Sequence, residues 1–347
     1  TPQLCKDLDV LPCPDYSILH NFGTEKGLKK FTIAPIMTSR GCPYDCSFCS
    51  VTSMFGRKYR FRSKEKVLDE LAQVKDLGGN WVFFYDDNFI AHKRRTKELL
   101  RAMIETKLTP HWTAQVRVEV AKDPELLELM KESGCHTVYI GLESINPGTL
   151  EAYNKEQSVE DIENCIKTLH KYGIRIHGMF VLGSDMDTIE TIDETVRFAK
   201  RNDLETIQFL ILTPLPGTQT YRDLDSQGRI ISKDWSLYDA HHVVFEPKQM
   251  TFYELQSNTI RATKEFYSVW QIAKRAARFD LFNVSLKTYG RNLIKKWSKK
   301  NQYFIDYTQA LTKAGKRVEI AAKNTAEDVK EKYRKLELAG AIPQKTH

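Results

Sequence analysis

Cys42, Cys46 and Cys49 are the residues of this chain whose type and spacing most clearly carry chemistry. They sit in Arg40-Gly41-Cys42-Pro43-Tyr44-Asp45-Cys46-Ser47-Phe48-Cys49-Ser50, a C-x3-C-x2-C run. Their number is odd and the loop is tight, so they do not read as a disulfide framework. They are one ligand short of a closed tetrahedral zinc site. Three thiolates at this spacing suit an iron–sulfur cube with one iron left open to another ligand. A structural zinc or a redox pair is the alternative reading of the same residues.

Further polar groups recur where predicted strands end. Tyr85-Asp86-Asp87-Asn88-Phe89 presents a group of acceptors, which suit an ammonium-like ligand or a helix N-cap. Gln115 and Arg117 are two apart on one predicted strand and so share a facing. An arginine facing a barrel interior needs an anion, from a ligand or from the protein. Gly141-Leu142-Glu143-Ser144 offers a carboxylate and a hydroxyl, suited to vicinal hydroxyls, although Ser144 equally suits a turn cap.

The elements that must position these groups alternate from residue 31. The apolar runs Phe31–Met37, Trp81–Tyr85, Trp112–Val118, His136–Leu142, Ile174–Leu182 and Thr206–Leu212 read as strands. Between them, helices are expected after Ser63, over Lys93–Glu105, from Asp123-Pro124 through Met130, and over Val159–His170 and Thr188–Lys200. Six βα units with near-continuous apolar strands predict parallel strands under helices, an α/β partial (β/α)6 TIM-like barrel. The active face is then the C-terminal ends of the strands. Residues 1–30 read as an extended surface linker, 31–218 as the barrel, and 219–347 as a mostly helical, basic and aromatic C-terminal extension, with Asn324 capping a last helix to about Leu338.

Composition sets the outer bounds. With 41% hydrophobic and 28% charged residues in 347, the chain is globular with a sizeable core. It has no run of about 18 apolar residues and no signal peptide. Seven cysteines without an extracellular spacing pattern predict a reducing, cytoplasmic compartment. The first residue is Thr1, which suggests processing or excision from something longer. The net charge of +7 is local: residues 274–300 hold nine Lys/Arg against Asp280 alone.

The cysteine spacing, Phe48 before the third cysteine, and the loop's place after the first strand resemble the radical S-adenosylmethionine (SAM) superfamily. The resemblance implies a [4Fe-4S] cluster on Cys42, Cys46 and Cys49, with SAM chelating the open iron. A one-electron reductase would supply the electron that cleaves SAM to methionine and a 5′-deoxyadenosyl radical. It also implies SAM contacts at Phe48, Asp86, Asp87, Asn88, Gln115, Arg117, Glu143 and Ser144. Gly178, Phe180, Gly183 and Pro214-Leu215-Pro216-Gly217-Thr218 would then flank adenine, with plain core packing the alternative for the first three.

Within the superfamily, Leu11-Pro12-Cys13-Pro14-Asp15-Tyr16, Phe55-Gly56-Arg57-Lys58-Tyr59-Arg60, Asp86-Asp87-Asn88-Phe89 and Leu212–Thr218 resemble the branch that carries a cobalamin domain ahead of the barrel. The chain lacks a D-x-H-x-x-G phrase, since Asp239-Ala240-His241-His242 has no glycine in that place. Cobalamin is therefore expected only through a domain absent from this chain, or not at all. Residues 238–247 and the helices after them resemble lipid- and hopanoid-modifying members. That implies methylation, or related C–C bond chemistry, at an unactivated carbon of a small-molecule or lipid substrate.

Four residues outside the barrel, Cys5, Cys13, His241 and His242, receive no role beyond the histidines as substrate-side proton donors or structural hydrogen-bonders. Phe279, Phe282, Leu286, Leu293 and Trp297 fall near one helical face within a basic stretch. They predict either an interfacial helix making peripheral membrane contact through residues 274–300 or a helix packed on the barrel. Basic residues interleaved with Tyr303, Phe304 and Tyr307 leave an RNA-modifying enzyme as an alternative, but no RNA module supports nucleic acid as a partner. A barrel that has lost its chemistry and acts as a binding partner is the remaining alternative.

Overall fold

The structure, a computed structural model, describes residues 4–18 and 33–313 together with Glu331 and Lys335. The strands are β1 (Ala34–Ile36), β2 (Ser39–Arg40), β3 (Arg60–Phe61), β4 (Trp81–Phe84), β5 (His111–Val116), β6 (Cys135–Glu143), β7 (Arg175–Leu182) and β8 (Thr206–Ile211). The helices of the βα region are α1 (Val51–Phe55), α2 (Lys64–Asp76), α3 (Lys93–Glu105), α4 (Pro124–Glu132), α5 (Pro147–Ala152), α6 (Val159–Lys171), α7 (Ile189–Arg201) and α8 (Gln219–Ser226). Four more follow: α9 (Phe252–Phe266), α10 (Val269–Ala277), α11 (Leu281–Lys300) and α12 (Gln302–Lys313).

Six strands form one sheet in the order β1-β4-β5-β6-β7-β8, each next to its neighbour in the main βα series. The pairings of β1 with β4, β4 with β5 and β5 with β6 are parallel. This is the expected partial barrel with a helical C-terminal part. One feature departs from expectation: β2 and β3 make a small antiparallel ribbon that brackets the cysteine loop.

Helix boundaries follow local chemistry. Ser63 accepts from Lys66 N to cap α2, and Asp123 accepts from Leu126 N to cap α4, with Pro124 at its first position. Thr188 and Thr191 cap each other's backbone at the start of α7. On the sheet, side chains alternate. Val82, Phe84, Trp112, Ala114, Val138 and Ile140 are fully buried, while Trp81, Phe83, Gln115, Tyr139 and His177 on the opposite face stay partly exposed.

The chain divides into two units. The first comprises Thr1–Asp45, Val51–Leu142 and Glu160–Gly178; the second comprises Cys46–Ser50, Glu143–Val159 and Met179–His347. In the first unit the lead-in is not simply a surface linker. Leu8 is buried, Asp9 accepts from Ser63 N at 2.8 Å, and the Tyr16 hydroxyl donates to Glu70 at 3.3 Å. Its short turns bring apolar and hydrogen-bonding groups to α2 that an extended linker would leave in water. Residues 19–32, including the start of the first predicted strand, lie outside the described residues. So does the predicted 324–338 helix, apart from Glu331 and Lys335, a helical pair 2.9 Å apart.

In the second unit α9 packs along α7 and β8. The Tyr267 hydroxyl accepts from Ile207 N at 2.9 Å and donates to Ile207 O at 2.7 Å, taking the ladder position beside the terminal strand. Lys287 of α11 is buried with its ammonium 3.7 Å from the centre of the Phe266 ring. Burial pulls its pKa down to about 7, helped by Arg275 and opposed by Asp203, Glu205 and Asp280. Gly290 admits the Tyr267 ring, because a Cβ there would meet it at 2.7 Å.

Candidate active site

The first unit holds the opening of the cysteine loop. Gly41 has φ +95°, and a Cβ on it would lie 2.8 and 2.9 Å from the carbonyl oxygens of Lys58 and Gly56. Only glycine fits there. Cys42 N donates to Gly56 O at 3.4 Å, so the turn that follows α1 fixes the first thiolate's backbone. Asp87 takes a hydrogen bond from Gly41 N, and burial beside Asp86 pushes its pKa up. The guanidinium of Arg57 reaches Asp45 at 3.1 Å and Pro43 O at 3.4 Å.

Tyr44, between the first two cysteines, lies under the Arg117 guanidinium, 3.7 Å from carbon to ring centre. Arg117 also pairs with Glu119 at 3.1 Å. β5 ends at Val116, so Arg117 is not on the strand with Gln115 but opens the following 3-10 turn. The anion that sequence reasoning asked for is present two residues on, in a carboxylate whose proximity only that turn creates.

Asp86 is almost wholly buried. Its Oδ1 accepts from the backbone N–H of Thr38 at 2.6 Å and Ser39 at 3.1 Å; its Oδ2 accepts from both their hydroxyls at 2.5 and 2.8 Å. Burial pushes its pKa up, against those four donors. Arg95 braces the same corner through Thr38 Oγ1, Thr38 O and Arg62 O. Asp86 is neither a helix cap nor an open acceptor: it locks the end of β4 to the β1–β2 link. Asn88 differs. Its backbone oxygen accepts from the Tyr59 hydroxyl at 2.5 Å, but its buried Oδ1 has no hydrogen-bond partner. Phe89 N donates to Gln115 O at 2.9 Å, tying this turn to the end of β5.

The second unit holds the rest of the loop. Cys49 N donates to Cys46 O at 3.1 Å, and Ser47 is held by Tyr153 O, Ala152 O and Thr220 N at 3.0–3.1 Å. Phe48 packs on Tyr153, ring centres 5.0 Å apart. Its place is thus a packing contact with a ring whose own hydroxyl is buried and without a partner. Glu143, at the end of β6, has φ +59°, a strained conformation for a non-glycine residue. Its carboxylate takes a hydrogen bond from Lys155 Nζ at 2.7 Å, with both side chains under 10% exposed. Ser144 Oγ accepts from Asn146 N at 3.0 Å, the turn-cap role. Asp187 accepts from Thr149 and from the N–H of Gly183 and Ser184, closing the turn after β7.

Sequence reasoning missed Lys155, Tyr153, Glu119 and Tyr59. Lys155 lies twelve residues from Glu143, across α5, and no periodicity links them. Tyr44 carried a signal, an aromatic ring inside the loop, that went unused.

None of the seven cysteines is in a disulfide. Among the described residues no three His, Cys, Asp or Glu side chains converge as ligands of a single metal ion, whereas a cube spreads its thiolates over separate irons. Cys135 and Cys165 are structural: burial pushes both thiols up, Cys165 to about 12. Cys5 Sγ donates to Asp7 O at 2.9 Å, and Arg62 Nη2 donates to Cys13 Sγ at 3.7 Å. His242 Nδ1 faces the Asp239 carboxylate at 3.0 Å and Nε2 faces Asn301 Oδ1 at 3.2 Å. Both of its nitrogens are thus engaged, one by the carboxylate of its own turn and one by the residue that ends α11.

Comparison with known proteins agrees with this reading of the domain. Residues 36–199 match the Radical SAM superfamily. The chain is 35% identical over 274 residues to the bacteriochlorophyllide d C-12(1)-methyltransferase of Chlorobaculum tepidum, covering 78% of this chain and 59% of that protein. It is 30% identical over 234 residues to the hopanoid C-2 methylase of Rhodopseudomonas palustris, covering 66% and 43%. The chain thus spans about half the length of these curated relatives. The apo structure of the cobalamin-dependent S-adenosylmethionine radical enzyme OxsB superposes with a TM-score of 0.58 at 16% identity, over 99% of this chain and 59% of that one, a likeness of fold. Residues 36–199 of this chain are thus a radical SAM domain.

Proposed function

We propose that this chain uses Cys42, Cys46 and Cys49 to hold a [4Fe-4S] cluster and SAM, and acts on an unactivated carbon of a large, apolar, lipid-like substrate by methylation or related C–C bond formation. The carrying observation is the cysteine loop itself, pinned at both ends by backbone hydrogen bonds and a glycine that no other residue can replace. When bound, the cluster supplies the electron that splits the sulfonium of SAM to a 5′-deoxyadenosyl radical.

The protein's own share is binding and order. The buried, partnerless Asn88 Oδ1 suits a donor such as the methionyl amine. Glu143, fixed by Lys155, suits the ribose hydroxyls. Asp86 and Arg117 act by positioning: the first holds the β1–β2 link, the second holds Tyr44 within the loop. Phe48, Asp87, Gln115 and Ser144 line the reading as neighbours of these groups.

The relatives named for bacteriochlorophyllide and hopanoid methylation support a large apolar substrate. So does the partly exposed sheet face of the first unit, with Trp81, Phe83 and Tyr139 on it. A lipid-like substrate also asks for contact with the membrane that holds it, through residues 274–300. A one-electron reductase completes the reading. Cobalamin has no motif in these residues, and His242 is already engaged on both nitrogens; no step is assigned to it, and a cobalamin domain would be a separate part of the protein.

The test is anaerobic reconstitution followed by reduction with SAM present. The wild-type chain should make 5′-deoxyadenosine or a methylated product, and Cys46→Ala should bind less iron and make neither. Unchanged SAM cleavage by Cys46→Ala would overturn the assignment.

A further inference from the structure

Helix α11 leaves an apolar strip in water. The residues it buries fully are polar, Asn283, Lys287 and Ser298, with Val284, Leu286, Ile294 and Trp297 half-buried beside them. Its outward face carries Leu281, Phe282, Tyr289 and Leu293, exposed by 72, 39, 64 and 48%. The turn before it shows Phe279 at 88%, and α10 adds Trp270 at 67%. Of the fifteen large hydrophobic residues exposed among the described residues, seven fall between Val269 and Leu293. Trp297, by contrast, turns inward against His241 and His242.

The arrangement has a local cause. Gly290 seats the Tyr267 ring, Lys287 sits over Phe266, and Asn283 donates to Asp280 at 2.7 Å. Those contacts fix the helix's rotation and leave Leu281, Phe282, Tyr289 and Leu293 facing water. Exposed apolar residues gathered on one stretch in this way mark a binding face.

Charge chooses the occupant. Lys295, Lys296, Lys299 and Lys300 are exposed at the end of the same helix, and Lys274 flanks Trp270. The stretch's one acid, Asp280, is engaged by Arg275 and Asn283. Arg275 and Arg278 are matched by Asp203 and half-buried Arg291 turns to Tyr267 O, so the exposed unmatched charge is the lysines'. An apolar, aromatic centre with a cationic border is complementary to a bilayer bearing anionic lipid; against a second copy it sets lysine on lysine. No described helix is long and apolar enough to cross a membrane, so the helix would lie along it.

We infer that the outward face of α10 and α11 seats the protein on an anionic phospholipid bilayer, with Trp270, Phe279, Leu281 and Phe282 in the headgroup layer and the four C-terminal lysines over lipid phosphates. It deepens the lipid-like substrate reading by naming where such a substrate would be met, but docking is a binding event that is tested without turnover.

The experiment is flotation of the full chain with vesicles of phosphatidylcholine alone and with added phosphatidylserine. Binding should need the anionic lipid and weaken with salt. Each neutralised lysine is worth about fivefold, so K295Q/K296Q/K299Q/K300Q should lose roughly six-hundredfold. Phe279→Ser with Trp270→Ser should also release the protein, with its unfolding midpoint unchanged because both side chains already face water. Equal binding to neutral vesicles, or indifference to the lysine changes, would overturn the proposal. So would a concentration-dependent dimer that ignores vesicles, which would make this face a contact between copies. Reductive SAM cleavage without lipid, measured on the same samples, separates failure of docking from failure of the radical chemistry.

Discussion

Replacing Asp86 separates a structural carboxylate from a ligand. In Asp86→Ala all four donors lose their acceptor. The hydroxyls of Thr38 and Ser39 can rotate, but the two backbone N–H groups, at 2.6 and 3.1 Å from Oδ1, have nowhere to turn. Two buried, unpaired N–H groups cost about 2–6 kcal/mol together. At roughly 2–4 °C per kcal/mol for a body of this size, the unfolding midpoint should fall by about 4–24 °C. Asp86→Asn should be much milder, because an amide oxygen at Oδ1 keeps both backbone donors and its NH2 can donate to the rotated hydroxyls. Its loss should be about 1–2 kcal/mol, from the missing charge. The assay is thermal unfolding by circular dichroism beside SAM binding by equilibrium dialysis. The reasoning predicts that binding and stability fall together in Ala and both largely survive in Asn. An Asn variant that melts like wild type yet binds no SAM would refute it, and would make Asp86 a direct contact.

Three other perturbations follow. Lys155→Met should cost about 3–5 kcal/mol by leaving the buried Glu143 carboxylate unpaired, and adding Glu143→Gln should recover most of it; urea unfolding of the four members of the cycle measures the coupling. Asn88→Ala should leave stability within about 1 kcal/mol, since the deleted oxygen has no partner, while weakening SAM binding about tenfold; a large loss of stability with intact binding would contradict the assignment. Lys287 has its folded pKa lowered from 10.5 to about 7, so the unfolded chain holds the extra proton between those values and stability should rise with pH across that window. Lys287→Met should flatten that rise, read from urea midpoints at neutral and alkaline pH.

Much of the fold was legible because its signals are local. Lys93–Glu105 was read to the residue, and Ser63 and Asp123 announced their helices as caps. The two-residue strands β2 and β3 are too short to show a period. Helix α5 had its signal in Asn146-Pro147, an N-cap followed by proline, but lies inside what looked like a loop. The site was legible in type and not in partnership. Nothing in the sequence says that Asp86 is used up by Thr38 and Ser39, or that Arg117 answers to Glu119, because both pairings are made by how chain ends meet. The face of α11 was legible only in part for the same reason: Phe282 and Leu293 share an exposed side, but Leu286 and Trp297 are half-buried, because Gly290 and Lys287 set the helix's rotation.

An open sheet has a free margin, and at β8 one side chain covers its start, while Ile211 N further along donates to Ala240 O at 2.8 Å. The hydroxyl of Tyr267 occupies both backbone groups of Ile207, which would otherwise template another strand. Tyr267 is made sixty residues after Ile207, so at about 5–20 residues per second the margin stays open for roughly 3–12 s of synthesis. Over that interval the nascent barrel depends on its surroundings to keep other strands away. Chains truncated before residue 267 should therefore aggregate where those ending after it do not.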